Sequence, residues 1–276
     1  MGRGTSAYLF KIDSKLSGKD LKKKIEEVIS ANQIQESSPK KQQKGFVNIN
    51  LPDENSPKEI PKLYFMESQD GRLTCRYRYY EEKIDRFAEE IIYNPKDTRI
   101  LYDSKKRILI CLTPYQYDAS RVLKIFLGSG DGFTFKAPSY RGNEEFLRWL
   151  IDNEKSGRDK FPKPCKLMNI VKTKVIDLED STSHPTTESV YVQTTEHLSD
   201  DLIYREIEEE GVRDSIGCQF EHSKWVFELK IYRSGKVTLG SQPPNIEAKE
   251  FIGLFPIIFE ELENLYKAFL DDTRGA

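Results

Sequence analysis

Histidine and cysteine are scarce in this chain of 276 residues, with three of the first and four of the second. No two of Cys75, Cys111, Cys165 and Cys218 stand at C-x-x-C spacing, and His184, His197 and His222 show no metal-ligand spacing. This argues against a zinc site and against a disulfide framework. Free thiols in apolar strand-like runs behave as small hydrophobes, so the expected compartment is reducing and cytoplasmic, with no metal and no cofactor. Long apolar runs are also missing. None approaches the roughly 18 residues that cross a bilayer, and the opening MGRGTSAYLFKID has no secretory apolar stretch. No membrane partner is expected, although Gly2 and Ser6 fit the short and common myristoylation pattern. G-x-S-x-G, Walker A, H-E-x-x-H and the kinase set are absent too. A binding protein is therefore favoured over an enzyme.

Aromatic residues are plentiful, with 15 Phe and 14 Tyr, and can support a real core. Charge is unevenly placed. Residues 1–176 carry 34 lysines and arginines against 24 acids, and residues 177–276 carry nine against 21. The basic portion suits a polyanion partner. The alternative is that acidic and basic portions serve assembly, with a protein partner or a second copy in a homodimer.

Hydrophobic periodicity predicts a mixed α+β chain of two lobes, each an antiparallel sheet packed by helices. Residues 1–130 form the first lobe, 131–142 a connection, and 143–276 the second. Strands are expected at 7–12, 46–50, 63–66, 72–80, 99–103, 107–112, 167–176, 190–193, 213–221, 224–233 and 236–240. Helices are expected at 18–31, 81–93, from 118 to 128, at 143–153, 199–210 and 247–270, the last kinked at Pro256. Residues 99–128 and 224–270 both run strand, turn, strand, helix. A degenerate repeat is one reading, and the general commonness of that unit is the other.

The run Arg72–Tyr80 alternates, so Arg72, Arg76 and Arg78 fall on one face and form a basic stripe. Guanidinium groups bridge phosphate oxygens and stack on bases. Lys172 and Lys174 form a second stripe, two residues apart. The turn Lys105, Lys106 and Arg107, with Arg121, Lys124, Lys136 and Arg141, adds charge, and Phe133, Phe135 and Tyr140 are interleaved aromatics of the kind that stack on unpaired bases. These residues make a non-enzymatic nucleic-acid-binding protein, with DNA as the expected partner, the leading expectation. The glycine run Gly128–Phe133 follows a helix instead of opening one, so it reads as a helix end and turn, not as a phosphate loop.

One enzymatic reading stands apart. In WVFELKIY, Glu228 and Lys230 point to one side, and Asp214 lies 14 residues upstream. Together they resemble the E-x-K half of a metal-dependent nuclease motif of the PD-(D/E)-x-K kind, which would make Asp214 and Glu228 metal ligands and Lys230 an aid to the attacking water. Asp214 has no preceding proline, and E-x-K also occurs at Glu81–Lys83 and Glu247–Lys249.

Overall fold

A computed structural model describes residues 4–31, 44–47, 72–85, 90–128, 134–178, 188–195, 197–207 and 211–274. The fold is mixed α+β, and every strand pairing described is antiparallel. The chain divides into two compact units. One holds Ala7–Lys136 with Ile246–Pro256; the other holds Met1–Ser6, Ala137–Asn245 and Ile257–Ala276.

In the Ala7–Lys136 unit the strands are β1 (Thr5–Asp13), β2 (Lys44–Val47), β3 (Arg72–Asp85), β4 (Glu90–Asp103), β5 (Ile108–Leu112) and β6 (Thr134–Lys136), in the order β2-β3-β4-β5-β1, with β6 also on β1. The helices are α1 (Gly18–Ala31) and α2 (Gln116–Gly128). Leu21, Ile25, Val28 and Ile29 recur at helical spacing and bury one face of α1. They meet Tyr8, Phe10 and Ile12 of β1, Tyr102 of β4, Leu109 of β5 and Phe126 of α2 in one core. Full burial of each aliphatic side chain is worth about 1.5–3 kcal/mol. Ser17 caps α1, its hydroxyl accepting from the Asp20 amide and donating to the Asp20 carboxylate. Leu9, Leu101, Ile108 and Ile110 are buried on the opposite side of the same strands. The middle of this sheet therefore offers no open face.

Where a helix was expected over residues 81–93, residues 81–85 and 90–93 are strand. β3 and β4 pair along their whole length, from Arg72 opposite Asp103 to Asp85 opposite Glu90. Ile84, Ile91 and Ile92 fit one face of a helix by spacing, but they are β-branched and suit a pleated sheet as well. Pairing with the neighbouring strand won over a helical period. The strand expected at 63–66 lies outside the described residues.

The Ala137–Asn245 unit contains α3 (Glu144–Lys155), β7 (Leu167–Ile176), β8 (Ser189–Gln193), α4 (Leu202–Ile207), β9 (Val212–His222), β10 (Trp225–Tyr232) and β11 (Lys236–Leu239). Its strands run β11-β10-β9-β7-β8. Asn143 caps α3 by accepting from the Phe146 amide at 2.9 Å. α3 packs on β7 and β9. The last helices are α5 (Ala248–Ile252) and α6 (Leu254–Arg274), where one kinked helix was expected. The break falls at Gly253, three residues before Pro256, whose ring excludes the carbonyl that a continuous helix would place there. The α6 part of this unit packs on α3 through rings: Phe146 lies 5.3 Å from Tyr266 and 5.8 Å from Phe269.

The two stretches read as a repeat both run strand, turn, strand, helix. Their likeness rests on that order alone.

Candidate nucleic-acid interface

Phe227, Leu229 and Ile231 of β10 are buried, whereas Val226 and Glu228 are exposed and Lys230 and Tyr232 half-buried. One face of this sheet is therefore covered and the other open. Residues directly opposite each other on paired strands share a face. Lys172 lies opposite Gln193 and Gly217, and Gly217 lies opposite Lys230. Two residues along, Tyr191 lies opposite Lys174, Lys174 opposite Ser215, and Ser215 opposite Tyr232. Two cross-strand rows thus bring Lys172, Lys174 and Lys230 together with Tyr191 and Tyr232. Lys236, which opens β11, adds a fourth ammonium 3.9 Å from the centre of the Tyr232 ring.

Lys230 is the hub of this face. Its Nζ stands 5.4 Å from the Tyr191 ring centre and 5.0 Å from that of Tyr232. Both fall within the roughly 6 Å at which a cation is attracted to a ring face. Its pKa is held below the ordinary lysine range, first by burial and then, against the opposing pull of Asp214, by Lys174, Lys236 and Lys172. Burial lowers Lys236 as well, with Asp214 again opposing. Among the described residues none of the four lysines forms an ion pair, whereas Lys136, Lys155 and Lys160 each do. The face thus gathers four ammonium groups beside two aromatic rings, with Asp214 as the opposing charge at Lys230 and Lys236.

Two features of β9 shape the face. A register shift between Lys174 and Val175, opposite Ser215 and Arg213, makes Asp214 an extra residue in β9. Arg213 is thereby turned from the open face to the covered one. There it is fully buried, donates to Glu144, and donates through Nε to the Tyr204 hydroxyl at 3.1 Å. Gly217, the second, leaves the centre of the face without a side chain, and Lys172 crosses there.

The other candidate residues fare differently. Arg76 is buried and pairs with Asp97 at 2.9 Å, so it cannot form an exposed stripe. Buried guanidinium groups are retained with a partner because an unpaired one is costly. The side chains of Arg72 and Arg78 lie outside the described residues. Arg107 does not reach outward either. Its guanidinium donates to the carbonyls of Ser14 and Leu16, each at 2.9 Å, tying the start of α1 to the β4–β5 turn. Lys105 is exposed and Lys106 half-buried in that turn, where both amides donate to Asp103. Lys136 pairs with Asp13, whose carboxyl it holds below the usual range. Arg121 and Lys124 are exposed on α2 beside Tyr115 and Tyr117, around a shallow open depression. Arg141 is exposed beside the Gly235 turn, at the Tyr232 end of the open face. Of the aromatics expected to stack, Tyr140 is buried, Phe135 packs on Phe126, and Phe133 lies outside the described residues.

The nuclease constellation is not assembled. Glu228 lies opposite Gln219, five residues along β9 from Asp214. At the rise of a strand that is roughly 15 Å, too far for two carboxylates to share one ion. Glu228 and Lys230 do share a face, as the alternation implied, but Lys230 turns to the tyrosine rings.

No protein-family model and no curated protein matches this chain. The functional reading therefore rests on the site alone.

Sequence reasoning reached Lys172 and Lys174 as a pair, and Lys230 in another role. It missed Tyr191, Ser215, Tyr232 and Lys236. Alternation in WVFELKIY already places Lys230 and Tyr232 on one side. Only the β7–β9 pairing, across some forty residues, joins them to Lys174 and Tyr191.

Proposed function

We propose that this chain binds nucleic acid, contacting the phosphate backbone through the open lysine–tyrosine face of the β11-β10-β9-β7-β8 sheet. The observation that carries the reading is the convergence of Lys172, Lys174, Lys230 and Lys236, none of them ion-paired among the described residues, around Tyr191 and Tyr232. Lysines that neutralise phosphates release counterions, and this supplies most sequence-independent affinity. Strand-borne side chains hold their spacing without a ligand, so less order has to be gained on binding. Arg141 extends the positive field at the Tyr232 end, while Asp214 and Glu228 lie along the same face and limit it.

The reading moves the contact surface away from the part of the chain richest in basic residues. Arg76, Arg107 and Lys136 serve the fold of the Ala7–Lys136 unit, and two of the four converging lysines come from the net-acidic portion.

The test is a fluorescence-anisotropy titration of labelled oligonucleotides at several salt concentrations. Wild type is expected to bind with an affinity that falls steeply as salt rises and depends little on base sequence. Alanine at all four lysines is expected to flatten the slope of log K against log salt by about one per lost phosphate contact. An unchanged slope in a folded quadruple variant would reject this face.

A further inference from the structure

The Ser215 hydroxyl lies in the middle of the lysine–tyrosine face, between Lys174 and Tyr232 in the cross-strand row. Ser215 is fully buried, and among the described residues its Oγ has no hydrogen-bond partner. A buried hydroxyl left unsatisfied costs stability, and a ligand atom reaching it would remove that cost. What lies beside it is informative: Lys230 stands in the next cross-strand row, opposite Gly217. Tyr191 and Tyr232 stand at the two ends of the row Tyr191–Lys174–Ser215–Tyr232, so their backbones are three strands, about 14 Å, apart. Their rings nevertheless converge on one point, the Lys230 ammonium, at 5.4 and 5.0 Å. The rings lean inward from either end of the row and Lys230 fills the space between them.

A flat ring placed where that ammonium sits would have a tyrosine at each of these distances. Both fall within the about 4.5–7 Å at which aromatic rings stack. We infer that the space between Tyr191 and Tyr232 is a slot for one unpaired nucleobase, with the Ser215 hydroxyl at its floor and Lys230 as the occupant that a base displaces. On displacement the Lys230 ammonium exchanges two ring faces for the phosphate of the entering nucleotide. The Ser215 hydroxyl gains a polar atom of the base edge. Lys172, Lys174 and Lys236 hold the neighbouring phosphates. A base in a duplex is stacked and paired, so the slot selects single strands over double strands. Tyr191 is 51 % exposed on β8, the last strand in the order, so a base can enter there without disturbing the covered face.

This inference rests on the nucleic-acid reading, and its test separates the two. Labelled single strands of one length are titrated onto the full chain in two forms, oligothymidylate and the same sugar–phosphate chain without bases. Wild type is expected to bind both, and the base-bearing strand about tenfold more tightly, the size of one base stacked on an aromatic side chain. Tyr191→Ala is expected to abolish that preference, so that the base-bearing strand binds no more tightly than the abasic one, and Tyr191→Phe to restore it. Equal affinity of wild type for the two strands, or a preference that survives Tyr191→Ala, would overturn the slot and leave the backbone reading standing. Failure of both strands to bind would overturn both.

Discussion

Lys172 crosses Gly217 so closely that a Cβ at position 217 would come within 2.8 Å of the lysine's own Cβ. The glycine is what lets Lys172 and Lys230 flank one open position at the middle of the face. Gly217→Ala is expected to destabilise the chain by about 1–3 kcal/mol, as overpacking does, and to weaken oligonucleotide binding by moving Lys172. Urea denaturation beside an anisotropy titration checks both. Binding at wild-type strength would show that the position of Lys172 is immaterial.

Acid side chains on the face give a prediction of opposite sign to the nuclease motif. Glu228→Gln removes a negative charge from beside the lysines, so affinity is expected to rise a few-fold at low salt and to return toward wild type at high salt. Were Glu228 a metal ligand, the same substitution would abolish Mg²⁺-dependent cleavage. A cleavage assay run beside the titration separates the two outcomes.

Affinity is also expected to report the lowered pKa of Lys230 and Lys236. A bound phosphate favours the charged ammonium, so the complex takes up protons at alkaline pH and binding weakens as pH rises. Because burial depresses both lysines, the decline should begin below the ordinary lysine value near 10.4. For folding the sign is reversed. Between the lowered folded value and the ordinary one the unfolded chain holds more protons, so stability gains slightly as pH rises through that window. Titrations from pH 7 to 10.5 test the first point, and denaturation over the same range tests the second.

Arg107 and Arg213 are structural cations, and this separates them from the face. Arg107→Ala removes two hydrogen bonds to the Ser14 and Leu16 carbonyls and is expected to cost about 1–3 kcal/mol of stability with oligonucleotide affinity unchanged. Glu144→Ala removes the carboxylate that faces the fully buried Arg213 guanidinium, for an expected loss of about 3–5 kcal/mol. Replacing both partners, as Arg213→Met with Glu144→Leu, should recover much of that loss. Chemical denaturation of the three variants decides whether the pair behaves this way.

Much of the architecture was legible in the residues, and the failures have physical causes. α1 and β7 fall at the expected boundaries because Leu21, Ile25, Val28 and Ile29 keep a helical period, and because Leu167–Ile176 is rich in β-branched residues with no breaker. The strands expected at 224–233 and 236–240 correspond to β10 and β11, which form a hairpin. Residues 81–93 misled because their isoleucines fit a helical stripe as well as a strand, and only the partner strand decides between them. The Arg76 stripe misled for a related reason. Alternation says which residues share a face, not whether that face is open. The site was half legible. Lys172 and Lys174 were visible as neighbours, and Lys230 was visible as a residue set apart. Its real company depends on β7 pairing with β9, and on Asp214 bulging out of register so that Arg213 turns inward. The summed charge of each portion concealed the rest, since Lys230 and Lys236 sit in the portion with an acidic balance.

The most direct measurement is lysine acetylation footprinting by mass spectrometry, with and without a saturating single-stranded oligonucleotide. Lys172, Lys174, Lys230 and Lys236 are expected to be protected together, while the exposed Lys105 and Lys124 react at unchanged rates. Protection confined to Lys105 and Lys124, or equal reactivity of all six in both conditions, would contradict the assignment of this face.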